Sequence, residues 1–114
     1  MTNPLGQHGE NLAAEYLQRN GYQIIERNYR TRYGEVDIIC SQKGDLVFVE
    51  VKTRRSTRFG SPEEAITYRK KEHIKNTALS YLKQVDKSYR SIRFDVITIM
   101  IQPSPVINHI QGAF

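Results

Sequence analysis

Residues 35–53 hold two nearly apolar runs, Glu35-Val36-Asp37-Ile38-Ile39-Cys40 and Leu46-Val47-Phe48-Val49-Glu50-Val51-Lys52-Thr53. Between them Lys43-Gly44-Asp45 is a tight-turn signal. Two such runs around such a turn predict an antiparallel hairpin. The other elements follow from this anchor. Leu5, Leu12, Ala13, Tyr16 and Leu17 fall at helical spacing, so residues 5–20 predict a helix, stopped by Gly21. Residues 22–29 read as a strand centred on Ile24 and Ile25. Ser61 as N-cap, Pro62 at the first helical position and Glu64 three residues after the cap predict a helix from Pro62 to Gln84. Residues 91–101 form a further strand, ended by Pro103 and Pro105, and residues 106–110 a short edge strand. This order predicts an α/β or α+β sandwich, a mixed central β-sheet flanked by helices. The strand over 46–53, the long helix and the strand over 91–101 should form a right-handed parallel crossover.

At 114 residues the chain is expected to be one domain, 1–114. It is 39% hydrophobic and 25% charged, which argues against disorder. A single cysteine, Cys40, excludes an internal disulfide and a cysteine-based zinc site, and reads as a small core residue. No apolar run approaches the roughly 20 residues of a membrane helix. The opening MTNPLGQHGEN has neither a basic nor an apolar signal region, so a cytoplasmic protein is expected, with no membrane partner. A net charge of +5 favours a polyanionic partner. His8, His73 and His109 show no metal-ligand spacing, and no P-loop, Rossmann or serine-hydrolase fingerprint is present.

Charges inside strands are the informative exceptions. Side chains alternate across a strand, so Glu35 and Asp37 share one face and Val36 and Ile38 the other. Likewise Glu50 and Lys52 oppose Val47, Val49 and Val51. In a hairpin centred on Gly44, facing positions sum to about 87 or 88, which sets Asp37 opposite Glu50. Two adjacent carboxylates call for positive charge between them, and a hard cation such as Mg²⁺ or Mn²⁺ supplies it. Lys52 is then placed to hold an attacking water or steady a charged phosphate. The plainer reading is an edge strand that carries Lys and Glu against aggregation, or an exposed ion pair worth little.

Glu10 borders the core-facing stripe of the first helix, so it either leans over the sheet as a third carboxylate or simply favours the helix dipole. Glu35 sits one pleat from Asp37, with an arginine as an alternative partner. Lys70 lies four residues from both Ile66 and Ile74, on the buried stripe of the long helix, where it must snorkel or find a partner. Lys52, Arg54, Arg55 and Arg58 put four cations in seven residues, and Arg27, Arg30 and Arg32 precede Asp37. Tyr29 and Tyr33 interleave with the earlier cluster and Phe59 follows the later one. Cations that hold phosphates and rings that stack on bases suit a nucleic-acid groove, though a charge run also suits a solvated loop.

The set G-E-V-D-I-I and D-L-V-F-V-E-V-K-T-R resembles the D-x(n)-E-x-K core of the PD-(D/E)xK, or restriction-endonuclease-like, superfamily. Nearly the whole chain is similar to the small bacterial YraN family. The likeness takes in Gly9-Glu10, Asn28, Gly34-Glu35-Val36-Asp37, Glu64-Ala65-Ile66, Tyr81-Leu82, Arg93-Phe94-Asp95-Val96 and Ala113-Phe114. Val36 stands where the superfamily's proline would be. The resemblance implies a restriction-endonuclease-like fold, shared with archaeal Holliday-junction resolvases. It also implies metal held by Asp37, Glu50 and Glu10, with Lys52 catalytic and a recurrent lysine at Lys70. Arg30, Arg32, Arg54, Arg55, Arg58 and Lys70 are the expected nucleic-acid contacts. The expected activity is Mg²⁺- or Mn²⁺-dependent cleavage of DNA, branched DNA by analogy, which would favour a homodimer. The alternative is a non-catalytic nucleic-acid-binding or adaptor module on the same fold.

Overall fold

The structure is a computed structural model, and it describes residues 4–56 and 66–114. The chain runs α1 (Pro4–Arg19), β1 (Gln23–Thr31), β2 (Gly34–Gln42), β3 (Asp45–Arg54), α2 (Tyr68–Gln84), β4 (Ser91–Met100) and β5 (Val106–Ile110). The strands form one sheet in sequence order. Only β3 and β4 pair in parallel, with α2 between them in sequence; the other neighbours are antiparallel. Among the described residues the result is a five-stranded mixed sheet with two helices, the expected α/β architecture.

The β2–β3 turn follows from two residues. Gln42 pairs with Asp45, and Lys43 and Gly44 both take left-handed backbone, at φ 52° and 88°. A two-residue loop of this kind matches the twist of its strands and fixes their register. Facing residues sum to 87, as in Ile38 with Val49. At the end of α1, Gly21 at φ 84° lets Tyr22 N–H reach the Leu17 carbonyl and Gly21 N–H the Gln18 carbonyl, at 2.9 and 3.2 Å. These two bonds close the helix and turn the chain into β1.

Each helix covers one face of the sheet. Ala13, Ala14 and Leu17 of α1 pack with Ile38, Cys40, Val47, Val49, Ile97 and Ile99. Ile74, Ala78 and Tyr81 of α2 pack with Val36, Ile39, Leu46 and Phe48. Cys40 is buried in the first cluster, and burial pushes its thiol up to about 12, as befits a core residue. Phe48, Phe94 and Phe114 stack in series at 5.5 and 5.3 Å between ring centroids, drawing the C-terminal residue onto the α2 face.

Two expectations need correction. The helix predicted over 62–84 begins at Tyr68: Thr67 is extended and its hydroxyl accepts Lys70 N–H, so it is the N-cap. The caps expected at Ser61, Pro62 and Glu64 lie outside the described residues. The second correction concerns β2, where Val36 and Ile38 were expected on one face. Ile38 packs under α1 and Val36 under α2. The strict alternation breaks between them, at Asp37. The register of β2 with β1 runs past Asp37 opposite Asn28, which adopts a left-handed φ of 55°. The ladder with β3 ends at Ile38 and Val49.

Candidate functional site

The break in β2 is what builds the site. Beyond Ile38 the Val51 N–H of β3 is taken by Asp37 Oδ2 at 2.8 Å, so a side chain replaces backbone pairing there. Glu50 is the next β3 residue after the last paired one, and is 4% exposed. The register expected from the turn thus carries Asp37 to the level of Glu50. Burial first, and then the Glu50 carboxylate, push the Asp37 carboxyl up to about 8. The Val51 N–H pulls the other way, while Glu10 and Glu35 add to the rise.

Two lysines answer this charge. Lys70 Nζ lies 2.6 Å from Glu50 Oε1, and Lys52 Nζ lies 3.6 Å from the same oxygen. Lys70 therefore finds a partner from its stripe: α2 lies over β2, and its first turn faces Glu50 across one cleft. Burial opposes its charge, but its bond to Glu50 and the nearby charges of Glu50 and Asp37 together outweigh this and hold the ammonium above the usual lysine range. Lys52 is driven below that range by burial and by Lys70 beside it. A half-buried lysine beside a carboxylate in a cleft is placed to orient a water or a phosphate oxygen.

Glu10 approaches from α1. It is buried, and its Oε1 accepts from Arg27 Nη2 at 3.2 Å and Asn28 Nδ2 at 2.9 Å. The left-handed backbone at Asn28 thus serves the site twice, once in shaping the strand and once in holding Glu10. Gly9 sets the height of the helix, for a Cβ there would lie 1.9 Å from Thr53 Oγ1. Glu10, Asp37, Lys52, Arg27, Arg30 and Arg54 all line one cleft of about 640 Å³. A second cleft of about 370 Å³ on the α2 side is lined by Asp37, Glu50, Lys70 and His73. Asp37 stands where the two meet. Among the described residues, no three acidic, histidine or cysteine side chains converge as a ready cation cage.

The other expected residues divide. Glu35 pairs with the exposed Arg30 at 3.2 Å, the arginine alternative raised for it. Arg54 lines the larger cleft, and Arg55 is exposed at the end of β3. Arg32 lies at the β1–β2 turn, away from that lining. Arg58 and Phe59 lie outside the described residues.

One polar cluster escaped the sequence reading. Asp95 is fully buried and accepts from Arg93 at 2.8 and 2.9 Å and from Gly112 N–H at 3.0 Å. His109 Nε2 lies 2.7 Å from it, and His109 Nδ1 lies 3.0 Å from the Tyr16 hydroxyl. Burial would raise the Asp95 carboxyl, but these partners hold it below the usual carboxylate range. The cluster ties β5 and the C-terminus to β4 and α1. Its signal was available, since Asp95 is a lone carboxylate among Phe94, Val96, Ile97 and Ile99.

Fold and site together define a small α/β protein with a carboxylate pair and two lysines at one sheet end. Residues 9–99 match the model of uncharacterised protein family UPF0102, and the chain belongs to that family. It is 53% identical to a UPF0102 protein of Syntrophomonas wolfei, with both chains covered in full. It is 49% identical to one of Rhodococcus opacus over 96% of this chain and 95% of that one. A UPF0102 protein of Persephonella marina is 45% identical over 96% of this chain and 91% of its own length. No described helix is long and apolar enough to cross a membrane.

Proposed function

We propose that this chain is a metal-dependent DNA endonuclease of the restriction-endonuclease-like kind, hydrolysing phosphodiester bonds in branched or otherwise structured DNA. One observation carries the reading: Asp37 and Glu50 are brought together at one sheet end, where burial and the neighbouring Glu50 carboxylate raise the Asp37 carboxyl to about 8. Ordinary structural carboxylates are placed with donors that lower them, as Asp95 is. A strained acidic pair in a cleft marks a functional site.

The donor set fits a hard divalent cation. Asp37 and Glu50 would hold Mg²⁺ or Mn²⁺, with waters and phosphate oxygens filling the remaining positions. Glu10 would assist from the α1 wall, sharing its carboxylate with Arg27 and Asn28. Such an ion supplies positive charge to the phosphate and acidity to a bound water. Lys52, on the same β3 face as Glu50, orients the attacking water and steadies the charge that develops on phosphorus oxygens. Lys70 balances Glu50 in the metal-free chain and, with an ion held there, would be free to contact a phosphate. Arg30 and Arg54, on the cleft wall, bind the DNA backbone without reading its sequence. Action on two strands of a junction favours a homodimer.

The test is strand cleavage of a four-way DNA junction in Mn²⁺, read on a denaturing gel for wild type, Asp37→Asn and Glu50→Gln. The reading expects nicking by wild type alone. Salt-sensitive DNA binding with no cleavage under any metal would replace the enzyme by an adaptor module on the same fold.

A further inference from the structure

The tip between β1 and β2 is a feature that cleavage chemistry does not need. Thr31 pairs with Gly34, so Arg32 and Tyr33 form a two-residue tip. The tip is fixed rather than loose. Tyr33 N–H donates to Thr31 Oγ1 at 3.1 Å, and that hydroxyl lies 3.4 Å from Thr77 Oγ1 on α2. Gly34, at φ 147°, sits so near α2 that a Cβ would meet His73 Cβ at 3.3 Å. This scaffold presents Tyr33 with 41% of its surface exposed. The Arg32 guanidinium lies over the ring, 4.9 Å from its centroid, and donates to the Tyr33 hydroxyl at 2.8 Å.

Tyr33 overlooks a cleft of about 760 Å³ between the tip and α2, with Arg30, Arg32, Leu79 and Lys83 also in its wall. None of the residues lining it is acidic. Arg30, on the edge strand β1, lies in the wall of both this cleft on the α2 side and the acidic one on the α1 side. A rigid exposed ring beside Arg32 and Lys83, in a lining without a carboxylate, is the arrangement that takes a base by stacking and its phosphates by charge. A paired base has its faces covered by its neighbours, so the ring selects an unpaired one.

Resting on the nuclease reading, we propose that this cleft holds an unpaired nucleic-acid strand that continues from the acidic site past Arg30, with a base stacked on Tyr33. The favoured substrate is then a duplex that carries a single-stranded arm, rather than a closed duplex.

The experiment measures binding in EDTA, where no cleavage occurs, by fluorescence anisotropy. The probes are a blunt DNA duplex and the same duplex with a single-stranded extension. Wild type should prefer the extended probe. Tyr33→Ala should lose roughly 5- to 100-fold on it, while Tyr33→Phe stays within about twofold. Both variants should bind the blunt duplex as wild type does. Lys83→Glu should weaken binding of the extended probe and flatten its salt dependence. Circular dichroism checks that each variant is folded, as expected for exposed positions. Equal binding of the extended probe by wild type and Tyr33→Ala would overturn the proposal. So would an equal loss on both probes, or displacement of the probe by poly-glutamate as readily as by single-stranded DNA. A Tyr33-dependent preference without cleavage in Mn²⁺ would sink the nuclease reading and leave the cleft standing. Cleavage that ignores Tyr33, with no binding preference, would sink the cleft alone.

Discussion

Replacing Asp37 by asparagine should stabilise the metal-free protein, and more so as pH rises. The carboxyl titrates at about 8 in the folded chain against 3.8 ordinarily, because it is buried beside Glu50. Between those values the folded state holds more protons than the unfolded state. Stability therefore falls as pH rises through that window and levels off above it. At about 1.4 kcal/mol for each pH unit, the span bounds the cost near 6 kcal/mol. Relaxation and water entry at a cleft edge reduce this to about 2–3 kcal/mol. Asparagine keeps an oxygen for Val51 N–H and carries no charge. Urea denaturation in EDTA should show Asp37→Asn more stable by about 2–3 kcal/mol near pH 9, with little difference near pH 4. A thermal midpoint raised by roughly 10 °C at the alkaline end is the equivalent reading. The reasoning is refuted if the gain is flat with pH, or if the variant is the less stable at alkaline pH.

Three further outcomes follow from the same geometry. Lys70→Ala removes the ammonium 2.6 Å from Glu50, so Mn²⁺ should bind roughly tenfold more tightly without DNA, as measured by calorimetry. Gly9→Ala forces α1 away from Thr53 and should cost about 1–3 kcal/mol in urea melts, with Thr53→Ala restoring part of it. Asp95→Asn leaves Arg93 and His109 without their carboxylate and should cost about 3–5 kcal/mol at neutral pH. Because Asp95 sits below its ordinary value, that loss should be full above about pH 4 and should shrink as acid protonates the wild-type group.

The sheet end was legible because two local rules converge there. Alternation along Val47–Lys52 put Glu50 and Lys52 together, and the Lys43-Gly44 turn fixed the register that raised Asp37 to meet them. The same alternation misassigned Val36. It assumes regular pairing on both edges, and here an asparagine at φ 55° and a side-chain bond to Val51 interrupt the pleat. The stripe of α2 marked Lys70 as needing a partner, but the partner's identity depends on where the helix sits over the sheet. The hold of Arg27 and Asn28 on Glu10 likewise joins a strand to a helix 17 and 18 residues away. Asp95 obeyed the rule that singled out Asp37. What distinguishes them is the partner set, donors for one and another carboxylate for the other, and only the packed structure supplies that.

Asp37 and Glu50 are the pair proposed to hold a divalent cation. The decisive measurement is titration of Mn²⁺ into the protein, with free ion followed by electron paramagnetic resonance. Wild type should take up Mn²⁺ saturably at a site that Asp37→Asn and Glu50→Gln each lose while remaining folded. Uptake that both variants retain undiminished, or no uptake by wild type with DNA present, would contradict the account.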